Sequence, residues 1–267
     1  MMNLNDPASP IHIRADGPIG WLMINRPDKR NAMTQAMWEA VPKAAAALDA
    51  DPDVRAIVVA STCEMAFASG ADLAELKDIA EHPERREANR QAIRNAQRSL
   101  ARTSKPTIAM VRGAAMGGGC GLAIHCDFRF AGMGARFGIP PAKLGLVYPL
   151  NDTRELVNLV GFSAARRMLM TAEVIDARTA LAIGLVDSVQ DDEELEGAVL
   201  AFAGRIAANA ASSVRGIKKT LRLIADGQVD DDAVTATMFL DAHDSADAAE
   251  GIGAFLEKRQ PDFKWNG

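Results

Sequence analysis

The chain has 267 residues, 48% of them apolar, a formal charge of -5 and a pI near 5.5: enough apolar surface for one large core, and no basic footprint able to neutralise a nucleic-acid backbone. Cys63, Cys120 and Cys126 are odd in number, lie in or beside apolar runs and lack metal-ligand spacing to the four histidines, which predicts free buried thiols in a reducing compartment and no metal centre. The first ten residues lack a charged head followed by an apolar run, and no uninterrupted apolar stretch is long enough to span a bilayer, so a soluble cytoplasmic protein with no membrane partner is expected.

In chain order, Ile19 to Asn25 reads as a strand, Thr34 to Leu48 as a helix, and the valine- and isoleucine-rich Val54 to Ser61 as a second strand. After it, Phe67-Ala68-Ser69-Gly70-Ala71-Asp72-Leu73 reads as a turn of small residues, with Asp72 placed to cap a helix starting at Leu73. Glu75 to Thr103 is charged with apolar residues at helical spacing, which predicts an exposed helical stretch able to act as a lid, its Glu75 and Asp78 solvated. Lys105 to Arg112 returns to a buried-strand composition, a glycine run leads into a helix over Cys120 to His125, and Asp127 to Ala131 begins another strand. From there the pattern is mostly helical: Ser163 to Thr171, Ala177 to Ile183, Glu193 to Ala208, Ser213 to Ala225 and Val229 to Leu256. The expected architecture is an α/β core over residues 1–192 and a C-terminal helical region over 193–267, with a soft boundary near Asp191 to Glu194. His125 reads as a satisfied helix histidine, and His12, His82 and His243 as surface residues.

The most informative segment is Gly113-Ala114-Ala115-Met116-Gly117-Gly118-Gly119-Cys120-Gly121. Glycines between a buried strand and a helix permit positive φ and close approach of a ligand to the main chain, and they leave the first N-H groups of the helix free. Such groups serve an anion or a developing oxyanion; the same glycines would also allow plain close packing of strand on helix. The spacing is neither a dinucleotide fingerprint nor a P-loop.

Taken in order, Asn25-Arg26-Pro27-Asp28-Lys29-Arg30-Asn31-Ala32, Phe67 to Leu73, Gly113 to Gly121, Cys126-Asp127 and Ala182 to Asp187 resemble the successive signatures of the enoyl-CoA hydratase/isomerase, or crotonase, superfamily. The resemblance runs from about Gly20 to Phe263 and implies an α/β, crotonase-like spiral of ββα units with a C-terminal helical trimerisation region, assembled as a homotrimer or as a hexamer of two trimers. It also implies an acyl-CoA substrate, coenzyme A entering as part of the thioester and not as a separate cofactor. The backbone N-H groups of Ala71 and Gly118 would form the oxyanion hole for a thioester enolate. Coenzyme A would be held by Lys29, Arg30, the backbone near Ala68, and Lys258 with Phe263; without the resemblance the three cations read as solvated surface charges. Met116 would be a wall of the acyl pocket or part of the core.

The reacting side chains depart from the family pattern. Gly121 and Pro141 occupy the positions where hydratases of the family carry their two glutamates, so ordinary hydration, which needs a base for water and an acid for the α-carbon, is not expected. Two side chains near the implied pocket could act instead. Asp152, in Asn151-Asp152-Thr153, lies where several isomerases and a dehalogenase of the superfamily place an aspartate, although all three residues are also good helix N-caps. Tyr148, the only tyrosine, resembles the tyrosine of relatives that decarboxylate methylmalonyl-CoA, or it simply packs at a loop. Isomerisation or another lyase step through Asp152, decarboxylation of a malonyl-type thioester through Tyr148, and a catalytically silent CoA-binding or scaffold protein are the three readings the sequence leaves.

Overall fold

Two sheets organise residues 2–264, which are those the computed structural model describes. The main sheet has six strands, β1 (Ile11–Asp16), β2 (Ile19–Ile24), β3 (Ala56–Ser61), β5 (Thr107–Val111), β7 (Phe128–Gly132) and β10 (Ser188–Gln190), in the spatial order β1-β2-β3-β5-β7-β10. Only β1 pairs antiparallel, through a turn in which Gly17 has φ 53°; the other pairings are parallel. Every residue of β2 is buried, and so are all but the last of β3, the continuous apolar pattern of strands covered on both faces. On one face Trp21, Met23, Val58 and Met110 meet Leu195, Val199 and Ala203 of helix α7 (Leu195–Ala207). On the other, Leu22, Ile24, Ile57 and Val59 meet helices α1 (Gln35–Ala50) and α3 (Pro83–Arg102). Each large apolar side chain so buried contributes roughly 1.5–3 kcal/mol.

The second sheet consists of four three-residue strands, β4 (Ala66–Ala68), β6 (Ala114–Met116), β8 (Arg136–Gly138) and β9 (Val174–Asp176), in that spatial order. Strands β4 and β6 run parallel side by side, with Ala68 beside Ala115. Helix α2 (Leu73–Glu81) follows β4 and helix α4 (Gly118–Ile124) follows β6. Two parallel neighbours therefore end together, each handing its chain to a helix.

The AIGLVD segment closes the main sheet. Arg129 of β7 is 4% exposed and donates from Nη2 to Asp187 (2.8 Å), from Nε to the Leu185 carbonyl (2.9 Å) and from Nη1 to the Cys126 carbonyl (2.8 Å). These bonds tie the chain between α6 (Ala177–Ala182) and β10 to β7.

Several elements differ from expectation. Residues 75–103 are two helices, broken at His82-Pro83, because proline cannot donate within a helix but suits its first turn. The second of them, α3, is no exposed lid: Ala92, Ala96, Gln97, Leu100 and Ala101 are buried against its neighbours, α1 chief among them. Helix α5 spans Leu150–Thr171, joining the helix expected after Asn151-Asp152-Thr153 to the one expected from Ser163, with an interruption at Gly161 (φ 69°). The last predicted helix is two, α9 (Ala233–His243) and α10 (Ala246–Glu257), with Ser245 capping the second; helix α8 (Ala211–Ala225) precedes them. His12 is buried, its Nδ1 3.1 Å from the Ser9 carbonyl, and is not a surface residue. All three cysteines are free and buried, and burial pushes the Cys120 and Cys126 thiols up to about 12. Among the described residues no single helix is long and apolar enough to cross a membrane. The last three residues of the span 193–267 lie outside the described residues.

Candidate active site

The Asn-Arg-Pro segment is a 3-10 turn (Pro27–Lys29) that ends with Arg30 and Asn31 in the left-handed region (φ 49° and 54°). Asn31 is fully buried. Its amide donates to Ser61 Oγ (2.6 Å) and to the Ala66 and Phe67 carbonyls (3.2 and 3.1 Å), and its Oδ1 accepts from the Arg26 N-H (2.7 Å), which pins this turn against β4. Arg26 in turn donates to Asp72 Oδ2 (2.6 Å). That bond, with those from the Ala74 and Glu75 N-H groups, holds the Asp72 carboxyl below its usual range and fixes it as the N-cap of α2.

These contacts set the backbone of residue 71. The Gly70 carbonyl accepts from the Met33 N-H (2.8 Å) and the Asp72 N-H donates to the Met33 carbonyl (2.9 Å), so both flanking peptides are engaged while the Ala71 N-H meets no acceptor among the described residues. At the neighbouring turn the Gly117 N-H donates to the Gly138 carbonyl (2.8 Å), and the Gly118 N-H, first in α4, likewise meets none. The two turns touch: a Cβ placed on Gly70 would lie 3.0 Å from the Met116 carbonyl oxygen and 3.9 Å from the Gly118 nitrogen. Glycine is required at 70 by its φ of 100°, and at 119 because a Cβ there would lie 2.2 Å from the Ala68 carbonyl oxygen. Ala71 and Gly118 are both half-buried, within reach of a ligand, with the Trp38 ring packed beneath Gly118. Two free amides side by side over an apolar floor can stabilise an oxygen that gains negative charge.

Beyond this pair the space has been refilled. A Cβ on Gly121 would meet Gln97 Nε2 at 2.2 Å and the Tyr148 hydroxyl at 3.1 Å. Tyr148 donates to the Gly117 carbonyl (3.3 Å), and burial, then the nearby Asp152, raises its phenol well above the ordinary 10, so it stays neutral and can only donate or accept a hydrogen bond. Pro141 lies in a 3-10 turn (Pro141–Leu144) and brings no ionisable group.

Asp152 does not cap a helix. Pro149 is the N-cap of α5 and Leu150 its first residue, which puts Asp152 inside the first turn, 2% exposed. Burial pushes its carboxyl up from 3.8 to about 6, against a lowering contribution from the Gln97 amide and a raising one from Glu155. His125 Nε2 lies 3.7 Å from Asp152 Oδ1 while its Nδ1 contacts the Gly121 carbonyl (2.7 Å). Burial lowers the histidine below 6.5, so the imidazole is neutral and this contact is not an ion pair. Burial alone would raise Glu155, but hydrogen bonds from Arg222 and Arg154 pull it below its usual range. Asp152 and Gln97 line two adjoining cavities of about 190 and 320 Å³, with Arg94 and Asn151 common to both.

The structure thus sets Tyr148 against the Gly117 carbonyl, next to Gly118, and Asp152 behind it beside Gln97 and His125; neither cavity that Asp152 lines is lined by Ala71 or Gly118. Lys29 and Arg30 are exposed on the turn above β4, where the Arg30 carbonyl accepts from the Ser69 N-H next to Ala68. Lys258 is the exposed left-handed C-cap of α10, and Phe263 packs back on Gly251 of the same helix; none of their described contacts reaches Ala71 or Gly118. Met116 is half-buried against Gly138. Glu75 is not merely solvated, since it accepts from the Gln35 N-H (2.7 Å) at the start of α1. Three residues with no role expected from the sequence also shape the site: Asn31, Arg94 and Gln97. The signal for Gln97 was a polar residue in the same stripe of α3 as Ala96 and Leu100.

A family model described as enoyl-CoA hydratase/isomerase matches residues 15–266. Among curated relatives, a crotonyl-CoA hydratase of Syntrophomonas wolfei subsp. wolfei is 36% identical over 243 residues, 91% of this chain and 93% of the relative. A short-chain-enoyl-CoA hydratase of Clostridium acetobutylicum is 31% identical over 262 residues, 97% of each. Among solved structures, an enoyl-CoA hydratase/isomerase family protein from Hyphomonas neptunium superposes with a TM-score of 0.93 at 37% identity, covering 96% of this chain and 98% of that one.

Proposed function

We propose a reaction from the premise that the chain belongs to the enoyl-CoA hydratase/isomerase family and is an acyl-CoA enzyme within it. The reading the site supports best is a proton shift along the acyl chain, which moves a double bond. The thioester oxygen sits between the Ala71 and Gly118 N-H groups, each such donor contributing about 3 kcal/mol toward the enolate-like transition state. Asp152 takes a proton from the α-carbon of a 3-enoyl thioester, electrons move into the thioester oxygen, and Asp152 returns the proton to the γ-carbon to leave the conjugated 2-enoyl product. The Gln97 amide, between Gly121 and Asp152, swings aside to admit the acyl chain. Tyr148 remains a neutral wall and donor.

The observation that carries this reading is a buried carboxyl raised to about 6 beside the glycine turn, since a proton carrier works best with a pKa near the operating pH. The relatives compared above are named hydratases; against hydration here stand Gly121 and Pro141, with Gln97 and Tyr148 filling the place a side chain at 121 would need. Purified protein given a 3-enoyl-CoA should generate the ultraviolet band of a conjugated enoyl thioester, and Asp152→Asn should slow this by at least about a hundredfold. An Asp152→Asn variant working at the wild-type rate would sink the proposal.

Tyr148 favours one other reading. A neutral, donating phenol within bonding distance of the glycine turn suits the orientation of a carboxylate that leaves as carbon dioxide, a step that needs the two amides and no carboxylate base. Release of carbon dioxide from a malonyl-type thioester above background would move the assignment to this lyase reaction; none would remove it.

A further inference from the structure

Helix α3 carries arginines at 90, 94, 98 and 102, each four residues from the next and so along one face. Arg90 is engaged by Glu87 (2.6 Å) and Arg102 by Asp226. Arg94, half-buried between them, makes no hydrogen bond or ion pair among the described residues, and its Nε is shielded from solvent without a partner. Glu87 acts on it only as a distant charge and is already held by Arg90.

Arg94 faces both cavities that Asp152 and Gln97 line. Gln97 Nε2 is likewise shielded, and among the described residues the Asp152 carboxyl is the acceptor it acts on, at a geometry short of a well-formed hydrogen bond. Shielding the Arg94 Nε from water without giving it an acceptor is unfavourable, so its neighbourhood suits an acceptor that comes from outside. Among the described residues that line the larger cavity Asp152 is the only acid, against Arg90 and Arg94. A planar fork of donors recognises a carboxylate better than any neutral group.

We infer that the acyl group of the substrate carries a second carboxylate, away from the thioester, which Arg94 binds with the Gln97 amide beside it. The inference rests on the acyl-CoA reading above and specifies its substrate class. The carboxylate would anchor the far end of the chain while Ala71 and Gly118 hold the thioester oxygen, fixing the carbons between them opposite Asp152.

Non-reacting saturated thioesters test this by titration calorimetry: coenzyme A, methyl-ended acyl-CoAs of four to six carbons, and carboxylate-ended acyl-CoAs of the same lengths. The wild-type protein should bind the carboxylate-ended member of at least one length about tenfold to a hundredfold more tightly than its methyl-ended counterpart. Arg94→Met should abolish that preference while binding of coenzyme A itself, which also reports that the variant is folded, persists. Equal binding of the two kinds by the wild type, or a preference that survives in Arg94→Met, overturns the inference and leaves the acyl-CoA reading standing. Failure of coenzyme A and of both kinds of thioester to bind overturns the two together.

Discussion

Replacing Asp152 by asparagine should make the protein more stable at neutral pH while disabling it, and the size of the gain follows from burial. The carboxyl is raised from the ordinary 3.8 to about 6 because it is withdrawn from water. At 1.36 kcal/mol per tenfold change, that difference is about 3 kcal/mol. Below pH 4 the carboxyl is protonated in folded and unfolded chains alike and contributes no penalty. Between about 4 and 6 the folded state holds the proton that the unfolded state has released, so stability falls as pH rises; above 6 the whole penalty is present. The asparagine amide cannot ionise and has nearly the same shape as the carboxyl it replaces. Urea unfolding of both proteins from pH 4.5 to 8 should therefore show the variant gaining on the wild type as pH rises, by about 3 kcal/mol at the top, or about 2–4 °C of Tm per kcal/mol. A difference that is flat with pH, or a less stable variant, would refute the claim that Asp152 is a desolvated acid. A gain in stability with loss of turnover is the signature of a group retained for chemistry.

Two further perturbations probe the frame around the site. Gly119→Ala should abolish catalysis and destabilise the protein, since its Cβ would lie 2.2 Å from the Ala68 carbonyl oxygen and would push α4 off β4; wild-type melting and turnover in this variant would show that the two turns need not touch. Arg129→Met leaves the Leu185 and Cys126 carbonyls without donors and should cost about 3 kcal/mol, read as a lower urea midpoint. Turnover in the fraction that stays folded should be unchanged, because Arg129 braces β7 and touches neither amide.

Elements with a local signature were legible in the sequence, and those fixed by distant partners were not. Asp72 caps its helix where a short polar side chain before an apolar run predicts it, Thr34, expected to begin α1, caps it from one residue before, and α4 starts from the glycine turn as expected. The strands of the second sheet are three residues each, too short to show alternation, so the parallel pair that brings the two amides together left no pattern to read. Asp152 illustrates the competition among local rules. Asn151, Asp152 and Thr153 all suit an N-cap, yet the Pro149 carbonyl accepts the Thr153 N-H (2.9 Å) and starts the helix earlier, which turns Asp152 inward. The arginines of α3 read as a solvated face because their spacing is also that of a surface helix; only the packing of Gln97 against the glycine turn reveals which of them faces a cavity.

The central claim is that the Ala71 and Gly118 N-H groups grip one thioester oxygen, and isotope-edited infrared spectroscopy of a bound acyl-CoA with a ¹³C-labelled carbonyl reads that grip directly. The carbonyl stretch should fall below its frequency for the free thioester in water, and Ala71→Pro, which deletes one donor, should return part of the shift. A bound carbonyl at or above its frequency in water would contradict the account.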